Sequence, residues 1–363
     1  MAAPRRPWYN QVTAARAGEG SVTPSACSVE VSPVHTFDGL ATEWERLWTQ
    51  CPSATLFSRW DWQSLWWRHF GQGWALHLLT MRQAGRLVGL APLMVRDGVA
   101  LFIGGTAVAD YLDFLVRPGC EEAFFTEVLA YARAQGWRGL DLHCLQPDSP
   151  TLRYLPELAT RSDWPVQTMV EDVCPRLRLP RDFESYLAGL TKKDRHELRR
   201  KLRRLYGSGT VHWYAASDPL PAMDDFIRLH RQSTPEKAAF MTPLMERFFR
   251  EMTALLAPEG LVRLYFLELD GLRVATAYCF ELPGEVWLYN SGYDPAYGRL
   301  SVGLLLKAFC IQDAIARGKE VFDFLRGREP YKYDLGGVDR PLYRLVVGQL
   351  PPGEEENGAC GWR

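Results

Sequence analysis

Several recurrent signatures of enzyme chemistry are missing from this sequence. It has no H-E-x-x-H zinc motif, no G-x-S-x-G nucleophile turn, no Walker phosphate loop and no pair of catalytic carboxylates. Its eight cysteines form no C-x-x-C pair and have no histidine at zinc spacing. We therefore expect no metal site and no disulfide framework. Idle or buried thiols are typical of a reducing compartment, which predicts a cytoplasmic location.

Long apolar runs and a large net charge are also missing. The longest apolar run, residues 87–95, is far shorter than the ~18 residues of a membrane helix and contains Pro92. Residues 1–32 have no apolar core of a signal peptide, so we expect a disordered lead-in there and a disordered tail over residues 351–363. The net charge of −1 excludes a general polyanion binder, so any basic site must be local.

What is present is a globular composition in a chain of 363 residues, which predicts two domains. The two halves repeat the same pattern: a hairpin of two apolar runs, another strand, an amphipathic helix ending at glycine, and a strand carrying aspartate. Gly136 and Asp141 stand 182 positions before Gly318 and Asp323. We predict an α+β (α/β) protein with domains at residues 33–175 and 181–350, each built on a mixed, mostly antiparallel sheet, with a cleft between the two sheets.

The loop from Asn290 to Gly303 is the first candidate site. Its glycines allow close approach of a ligand, and Ser301 at the start of a helix is a good N-cap. The free N–H groups of the next turn would face an anion. An ordinary capped helix explains the same residues. The corresponding helix of the first half begins with two glutamates, which would repel a phosphate, so an anionic donor is expected in the second half.

The segment from Val321 to Tyr333 is more specific, because it has a carboxylate at a strand end, a glycine turn and a Tyr-Lys pair. Together with Ser301-Val302-Gly303 it resembles the FemAB-like GNAT acetyltransferases grouped with the cellulose-biosynthesis protein CelD. This sequence has Val302 where that pattern has proline. The resemblance extends over most of residues 35–347 and includes the Asp110-Tyr111 element.

This resemblance implies two tandem acyl-CoA N-acyltransferase folds and an acyl-CoA, such as acetyl-CoA, as donor without a metal. The donor would contact Arg299, Ser301, Val302, Gly303 and Leu304. Four residues are candidates for catalysis: Lys332, Asp323, Tyr293 and Tyr289. The acceptor would contact Asp110, Tyr111, Glu236, Lys237 and Tyr331.

Each of these roles has a structural alternative. Lys332 is expected to stabilise an oxyanion, but a lysine on an edge strand is an equally ordinary surface residue. Asp323 could act as a base. Its counterpart Asp141 suggests instead that an aspartate caps the end of the corresponding strand in each half. Glu236 and Lys237 lie in a segment that reads as a plain connection between helices. Trp62 and Trp66, at i and i+4, indicate a packing face more than a sugar platform.

Residues 191–205 form an amphipathic helix with eight basic and two acidic residues. A solvated charged face is one explanation. The other is an anion-binding face for the phosphates of coenzyme A, an aminoacyl-tRNA acceptor stem, or a sugar-nucleotide or lipid-linked sugar acceptor. The expected reaction is transfer of an acyl group from acyl-CoA to an amine of a sugar or envelope (exopolysaccharide) precursor. The alternatives are an aminoacyl-tRNA-dependent transferase like FemX, and a non-catalytic accessory protein of polysaccharide (cellulose) biosynthesis.

Overall fold

The computed structural model of the chain describes residues 31–350. The expected lead-in (apart from its last two residues), the expected tail and two of the cysteines, Cys27 and Cys360, lie outside the described residues. Within residues 31–350, no helix combines the length and the apolar character that a membrane crossing requires.

Thirteen strands are found between residues 31 and 350. They are β1 (Val31–Val34), β2 (Ala75–Gln83), β3 (Arg86–Arg96), β4 (Val99–Phe102), β5 (Leu115–Val116), β6 (Gly139–Leu145), β7 (Val166–Arg178), β8 (Val211–Ala215), β9 (Val262–Leu269), β10 (Leu272–Leu282), β11 (Glu285–Tyr293), β12 (Val321–Asp323) and β13 (Val338–Gly348). We call β1–β7 and their helices the first half of the molecule, and the remainder the second half.

The helices of the first half are α1 (Ala41–Trp48), α2 (Trp60–Phe70), α3 (Glu121–Ala134) and α4 (Pro150–Arg161). Those of the second half are α5 (Phe183–Gly189), α6 (Lys192–Tyr206), α7 (Met223–Ser233), α8 (Pro235–Phe240), α9 (Pro243–Leu256), α10 (Val302–Ala316) and α11 (Pro330–Asp334). The predicted hairpins β2–β3 and β9–β10 and the predicted helices α3 and α10 are confirmed. The predicted helix over residues 191–205 is α6, whose N-cap is Thr191, and the shorter α5 precedes it.

All thirteen strands belong to one continuous sheet, in the order β1-β2-β3-β4-β6-β13-β7-β12-β11-β10-β9-β8, with β5 beside β3. The prediction of two separate sheets side by side is therefore wrong. The order is palindromic: β1 to β4 correspond to β8 to β11, β6 to β12 and β7 to β13. Among the strands of residues 31–350 only β4–β6 and β11–β12 are parallel pairs, so the mixed, mostly antiparallel character is confirmed.

The last strands of the two halves are exchanged. Strand β13 pairs with β6 of the first half, β7 pairs with β12 of the second half, and β7 and β13 pair with each other. We call these four strands the seam. Each half completes the sheet of the other, which joins the two repeats through backbone hydrogen bonds as well as side chains. The division into residues 33–175 and 181–350 stays a prediction, and β7 runs to Arg178 across its first boundary.

Helices cover both faces of the sheet in the second half. Helices α5, α6 and α10 pack with β9–β11 in one apolar cluster. Helices α7 and α9 pack on the other face with α2 of the first half, in a core rich in aromatic rings. Trp62 and Trp66 of α2 are almost fully buried there, as their spacing predicted. This core fixes the position of the first half against β11, the strand that borders the site described below.

A buried ionic network crosses the seam. The Arg344 guanidinium of β13 donates two hydrogen bonds to Asp141 of β6, at 2.7 and 2.8 Å. The His143 ring lies between Asp141 and Glu171, 3.1 and 2.8 Å from their carboxylate oxygens. Burial by itself would lower the pKa of His143, but the two carboxylates outweigh it and raise that pKa to about 9. Asp141 thus serves to join β6 to the exchanged strand.

This network predicts a pH-dependent stability. Since the pKa of His143 is higher in the folded chain (about 9) than its ordinary value of 6.5, its contribution is full below about pH 6.5 and is lost as the pH rises through 9. We expect the difference in unfolding free energy between the wild type and His143→Gln, measured by urea denaturation, to shrink from pH 6 to pH 9.5. As a control, Glu157 forms an exposed ion pair with Arg161. The variant Glu157→Gln should therefore change the unfolding free energy only slightly at every pH. A difference for His143→Gln that does not change with pH would contradict this role.

Candidate active site

Two neighbouring strands separate in the middle of the second half. Strands β11 and β12 are paired only between Glu285–Trp287 and Val321–Asp323. Beyond Asp323 the chain turns away, with positive φ angles at Leu325 and Gly327, while β11 continues to Tyr293. The edge of β11 is thereby left open toward residues 324–327. A sheet that opens in this way offers unpaired backbone groups to a ligand inserted between its strands.

The opening contains a cavity of about 220 Å³, which we call the splay cavity. It is lined by Ala107, Val108, Asp110, Lys237, Phe240, Leu288, Tyr289, Asn290, Ser291, Phe324, Leu325, Arg326, Glu329, Tyr331 and Lys332. Five of the residues predicted from the sequence meet here, from four separate segments of the chain: Asp110, Lys237, Tyr289, Tyr331 and Lys332. Both halves of the molecule contribute to the wall.

Lys332 is buried and acts as a clamp on the loop after β12. Its ammonium group donates to the carbonyl oxygens of Leu325, Arg326 and Gly327, at 2.9, 2.7 and 3.1 Å. The Glu329 carboxylate lies 3.0 Å away and balances the charge. An ammonium group has three hydrogens to donate, so all of them are engaged by the loop. The predicted role in stabilising an oxyanion stays a prediction, and in this structure the side chain holds the cavity wall in place.

Two further lysines lie at this site: Lys237 lines the splay cavity, and Lys307 lies behind its wall residue Tyr331. Lys237 of α8 donates to the carbonyl oxygen of Ser291 on the open edge of β11. Burial lowers the pKa of Lys237 to about 8. Lys307 of α10 lies over the ring of Tyr331, 4.6 Å from its centroid, and burial together with the charge of Lys237 lowers its pKa to about 7. Lys307 was not predicted as a site residue from the sequence, although a lysine within an otherwise apolar helix indicates a specific partner.

The first half contributes a carboxylate and a hydrogen-bond acceptor. Asp110 lies 3.3 Å from the guanidinium of Arg326, and its burial raises its pKa in spite of that neighbour. The Tyr289 hydroxyl donates to the carbonyl oxygen of Val108 at 2.9 Å. Burial raises the pKa of both Tyr289 and Tyr331, so each keeps its proton at neutral pH. They can therefore donate a proton, but they cannot act as bases.

The first turn of α10 lies beside this opening. Gly303 packs against Tyr293 at the end of β11, where an added Cβ would stand 3.0 Å from the ring. Ser301 occupies the N-cap position, but it is left-handed (φ 59°) and its side chain makes no capping bond, so the prediction of a serine cap is wrong. Its hydroxyl instead accepts from Arg204 of the basic helix α6, at 3.1 Å. The first N–H groups of α10 therefore receive no capping bond from the side chain at the N-cap position.

Several predicted residues lie elsewhere. Glu236 is exposed on α8 and does not line the splay cavity. Tyr293 packs against Gly303 of α10 and does not line the cavity either. The carboxylate of Asp323 is fully buried and turned away from the cavity toward Tyr111 and Arg176, 2.7 and 3.1 Å away. Tyr111 is accordingly an anchor for Asp323 rather than part of the splay cavity. Burial raises the pKa of Asp323 to about 6, although Arg176 opposes that change.

The residues expected to contact the donor are distributed around the start of α10. Arg299 is exposed in a 3-10 turn over Pro295–Leu300. Val302, the first residue of α10, is buried. Leu304 is half-buried in the first turn. Among residues 31–350, no group of three or more His, Cys, Asp or Glu side chains could hold a metal ion.

Comparisons with known proteins agree with this geometry. Residues 192–333 match the family model of the acetyltransferase (GNAT) domain. FemX superposes with a TM-score of 0.61 at 12% identity, covering 86% of this chain and 96% of FemX. A tandem GNAT protein from the clavulanic acid biosynthesis pathway gives 0.52 at 13% identity, covering 89% and 100%. L-PGS from Bacillus licheniformis gives 0.51 at 12% identity, covering 77% and 86%.

These likenesses confirm the predicted tandem GNAT-like fold, and the similarity to FemX agrees with the expected relation to Fem proteins. The grouping with CelD stays a prediction. A search of curated proteins found no match. The GNAT domain indicates an acyltransferase.

The clamp predicts a structural effect for Lys332. In Lys332→Met three carbonyl groups lose their donor, so we expect the unfolding free energy to fall by about 2 kcal/mol or more and amide exchange over residues 325–329 to accelerate. Lys319→Met is the matched control, because Lys319 donates to a single carbonyl, that of Leu282, and should cost about 1 kcal/mol. Loss of turnover in Lys332→Met with unchanged stability and exchange would instead favour a direct catalytic role.

Proposed function

We propose that this protein transfers an acyl group from an acyl-CoA thioester, such as acetyl-CoA, to the amine of an acceptor. The observation that carries the proposal is the splay cavity between β11 and β12, which lies beside the first turn of α10. A thioester arm inserted at the open edge of β11 would find backbone hydrogen-bonding groups along the strand. Its pyrophosphate would meet the free N–H groups of α10 and the charge of Arg204.

In the proposed reaction the acceptor ammonium first gives a proton to solvent water, and the amine nitrogen then attacks the thioester carbonyl carbon. The nitrogen–carbon bond forms and the carbon–sulfur bond breaks. The departing thiolate takes a proton from a tyrosine, for which Tyr331 and Tyr289 are the protonated groups at hand. The second proton of the amine nitrogen then returns this tyrosine to its protonated form. Positioning of both substrates in a closed cavity supplies much of the acceleration in such direct transfers. Lys332 keeps the wall formed by residues 325–327 in shape for this geometry.

Two lysines are suited to orient the donor. Lys237 donates a hydrogen bond to the carbonyl oxygen of Ser291. An inserted thioester arm would form its own hydrogen bonds there, so binding of the donor would displace the Lys237 ammonium group. Lys307 lies one turn into α10, where it donates to the carbonyl of Gly303 at 3.1 Å. The acceptor is proposed to carry its amine on a sugar or an envelope precursor.

A second candidate is transfer from an aminoacyl-tRNA. The basic face of α6 favours it, because exposed lysines and arginines extend from Lys192 to Arg204 and reach the start of α10. FemX also shares the fold. The third possibility, a non-catalytic accessory protein, would bind neither donor.

Isothermal titration with acetyl-CoA tests the donor. We expect binding in the wild type with a Kd of about micromolar and none in Gly303→Glu, whose carboxylate would repel the phosphates. Because Gly303 packs on Tyr293, Arg204→Glu is the exposed second variant and should weaken binding about tenfold. Lys192→Glu is the control, about 18 Å away along the same helix, and should bind normally. If no acyl-CoA binds to the folded wild type, the donor proposal fails.

Salt dependence separates the two donors. An aminoacyl-tRNA that lies along α6 would neutralise several phosphates, so its binding should weaken steeply with salt, and Lys193→Glu should reduce the slope by about one. Acetyl-CoA binding should depend weakly on salt and be insensitive to Lys193→Glu. Filter binding with charged tRNA over a range of KCl concentrations measures this. Tight tRNA binding without acetyl-CoA binding would replace the first candidate by the second.

A further inference from the structure

The lysines at the opening between β11 and β12 differ in how their ammonium groups are engaged. Lys332 donates to three carbonyl groups of the loop after β12. Lys307 is buried behind Tyr331 and does not line the splay cavity. Lys237 does line it, and within the described part of the chain its ammonium group forms a single hydrogen bond, to the carbonyl oxygen of Ser291. Lys237 is therefore the lysine whose nitrogen lies at the cavity and is held by one bond.

The Lys237 nitrogen lies where the proposed thioester would enter. Ser291 belongs to β11, whose edge is open beyond Trp287, the last residue that pairs with β12. An acyl-CoA arm on this edge would take over the carbonyl group that Lys237 holds. Because the displaced amine is on a flexible four-carbon stem, the thioester carbonyl would be within its reach. The same wall includes Tyr289 and Tyr331, which keep their protons at neutral pH.

The surroundings of Lys237 disfavour its charged form. Its side chain is half-buried, and burial lowers its pKa to about 8, although the Glu329 carboxylate opposes this change. Two cationic or potentially cationic groups lie nearby, Lys307 on α10 and His230 on α7, and burial together with the charge of Lys237 lowers the pKa of both. A lysine that is neutral in part of the molecules has a free electron pair and can act as a nucleophile.

We propose that Lys237 is a modification site, which takes the acyl group from the bound acyl-CoA when no acceptor amine is present. This inference rests on the proposed function, because the acyl group comes from the proposed donor. The Lys237 ammonium group first gives a proton to solvent water, and its nitrogen then attacks the thioester carbonyl carbon. The nitrogen–carbon bond forms and the carbon–sulfur bond breaks. The second proton of the nitrogen passes to the sulfur of the departing coenzyme A.

The modification closes the site. Its product is an amide, which does not pass the acyl group on to another amine. Acylation removes the positive charge of Lys237 and adds an acyl group to a cavity of about 220 Å³. Because the acylated side chain occupies the place of the thioester, the modified protein binds a further donor molecule more weakly.

Incubation of the purified protein with acetyl-CoA alone, followed by peptide mass spectrometry, tests this site. We expect Lys237 to be acetylated at least about tenfold faster than Lys193, because the bound thioester is held beside it. Lys193 is exposed on α6 and reports unassisted acetylation. Lys319 is the matched control, since it also donates to one carbonyl group, that of Leu282, but pairs with Glu281 and does not line the cavity. Lys319 should stay unmodified.

A variant and a second reagent separate the donor site from the reactivity of the lysine itself. Arg204→Glu leaves Lys237 in place and should slow its acetylation about tenfold at subsaturating acetyl-CoA, in step with the weaker binding of the donor. Acetyl phosphate has an acyl group but no coenzyme A. With this reagent we expect no preference for Lys237 over Lys193.

The closing effect is measured by titration after prolonged incubation and removal of the donor. The Kd of the wild type for acetyl-CoA should rise about tenfold. Lys237→Arg keeps a positive charge and a donor for the Ser291 carbonyl but has no amine to acetylate. Its own Kd, measured before and after the same incubation, should therefore be the same.

Three results would overturn the proposal: acetylation of Lys237 no faster than that of Lys193, an equal preference for Lys237 with acetyl phosphate, or an unchanged Kd in the acetylated wild type. Titration of the unmodified protein distinguishes the two failures. If acetyl-CoA binds but Lys237 stays unmodified, the modification site is refuted and the donor proposal stands. If acetyl-CoA does not bind, the proposed function is refuted, and the modification of Lys237 with it.

Discussion

The pairing of β7 with β13 in the middle of the sheet is the constraint on which the rest of this molecule depends. Each of these strands ends one repeat and lies against the other, so the two repeats share one backbone hydrogen-bond network. Ion pairs reinforce the exchange on both sides, Asp141 with Arg344 and Asp323 with Arg176. Buried pairs of this kind are costly to break, because removal of one partner leaves a charge without compensation. The splay cavity begins directly after β12, the strand of this seam that pairs with β11.

The same constraint explains why the splay opens where it does. Strand β12 is held by β7 on one side and can pair with β11 only as far as Asp323, whose carboxylate accepts the amide of Leu325 and turns the chain. The loop after it would have three carbonyls facing a buried region, and Lys332 supplies their donors. The splay cavity thus results from the early end of β12 and from Lys332, which donates hydrogen bonds to the carbonyl groups of the loop that follows.

Much of the fold could be predicted from the sequence, because hairpins, amphipathic helices and terminal glycines are local signals. The repeat offset of 182 residues indicated the duplication, and Asp141 and Asp323 indeed have corresponding places beside exchanged strands. The exchange itself was not predictable, since β7 and β13 read as ordinary strands whichever neighbour they pair with. The site was reached in part: Asp110, Lys237, Tyr289, Tyr331 and Lys332 do meet. The left-handed Ser301 and the inward Lys307 depend on tertiary packing that no local pattern records.

Strand exchange also has a consequence for synthesis of the chain. Strand β6 leaves the ribosome with one edge exposed, and its partner β13 begins only at Val338. At about 5–20 residues per second this wait lasts roughly 10–40 s. The first repeat cannot mature alone during that time, and its open edge is a template for pairing with another chain. The edge of β6 that β13 covers in the folded chain is therefore exposed until the last strand of the sheet has been synthesised.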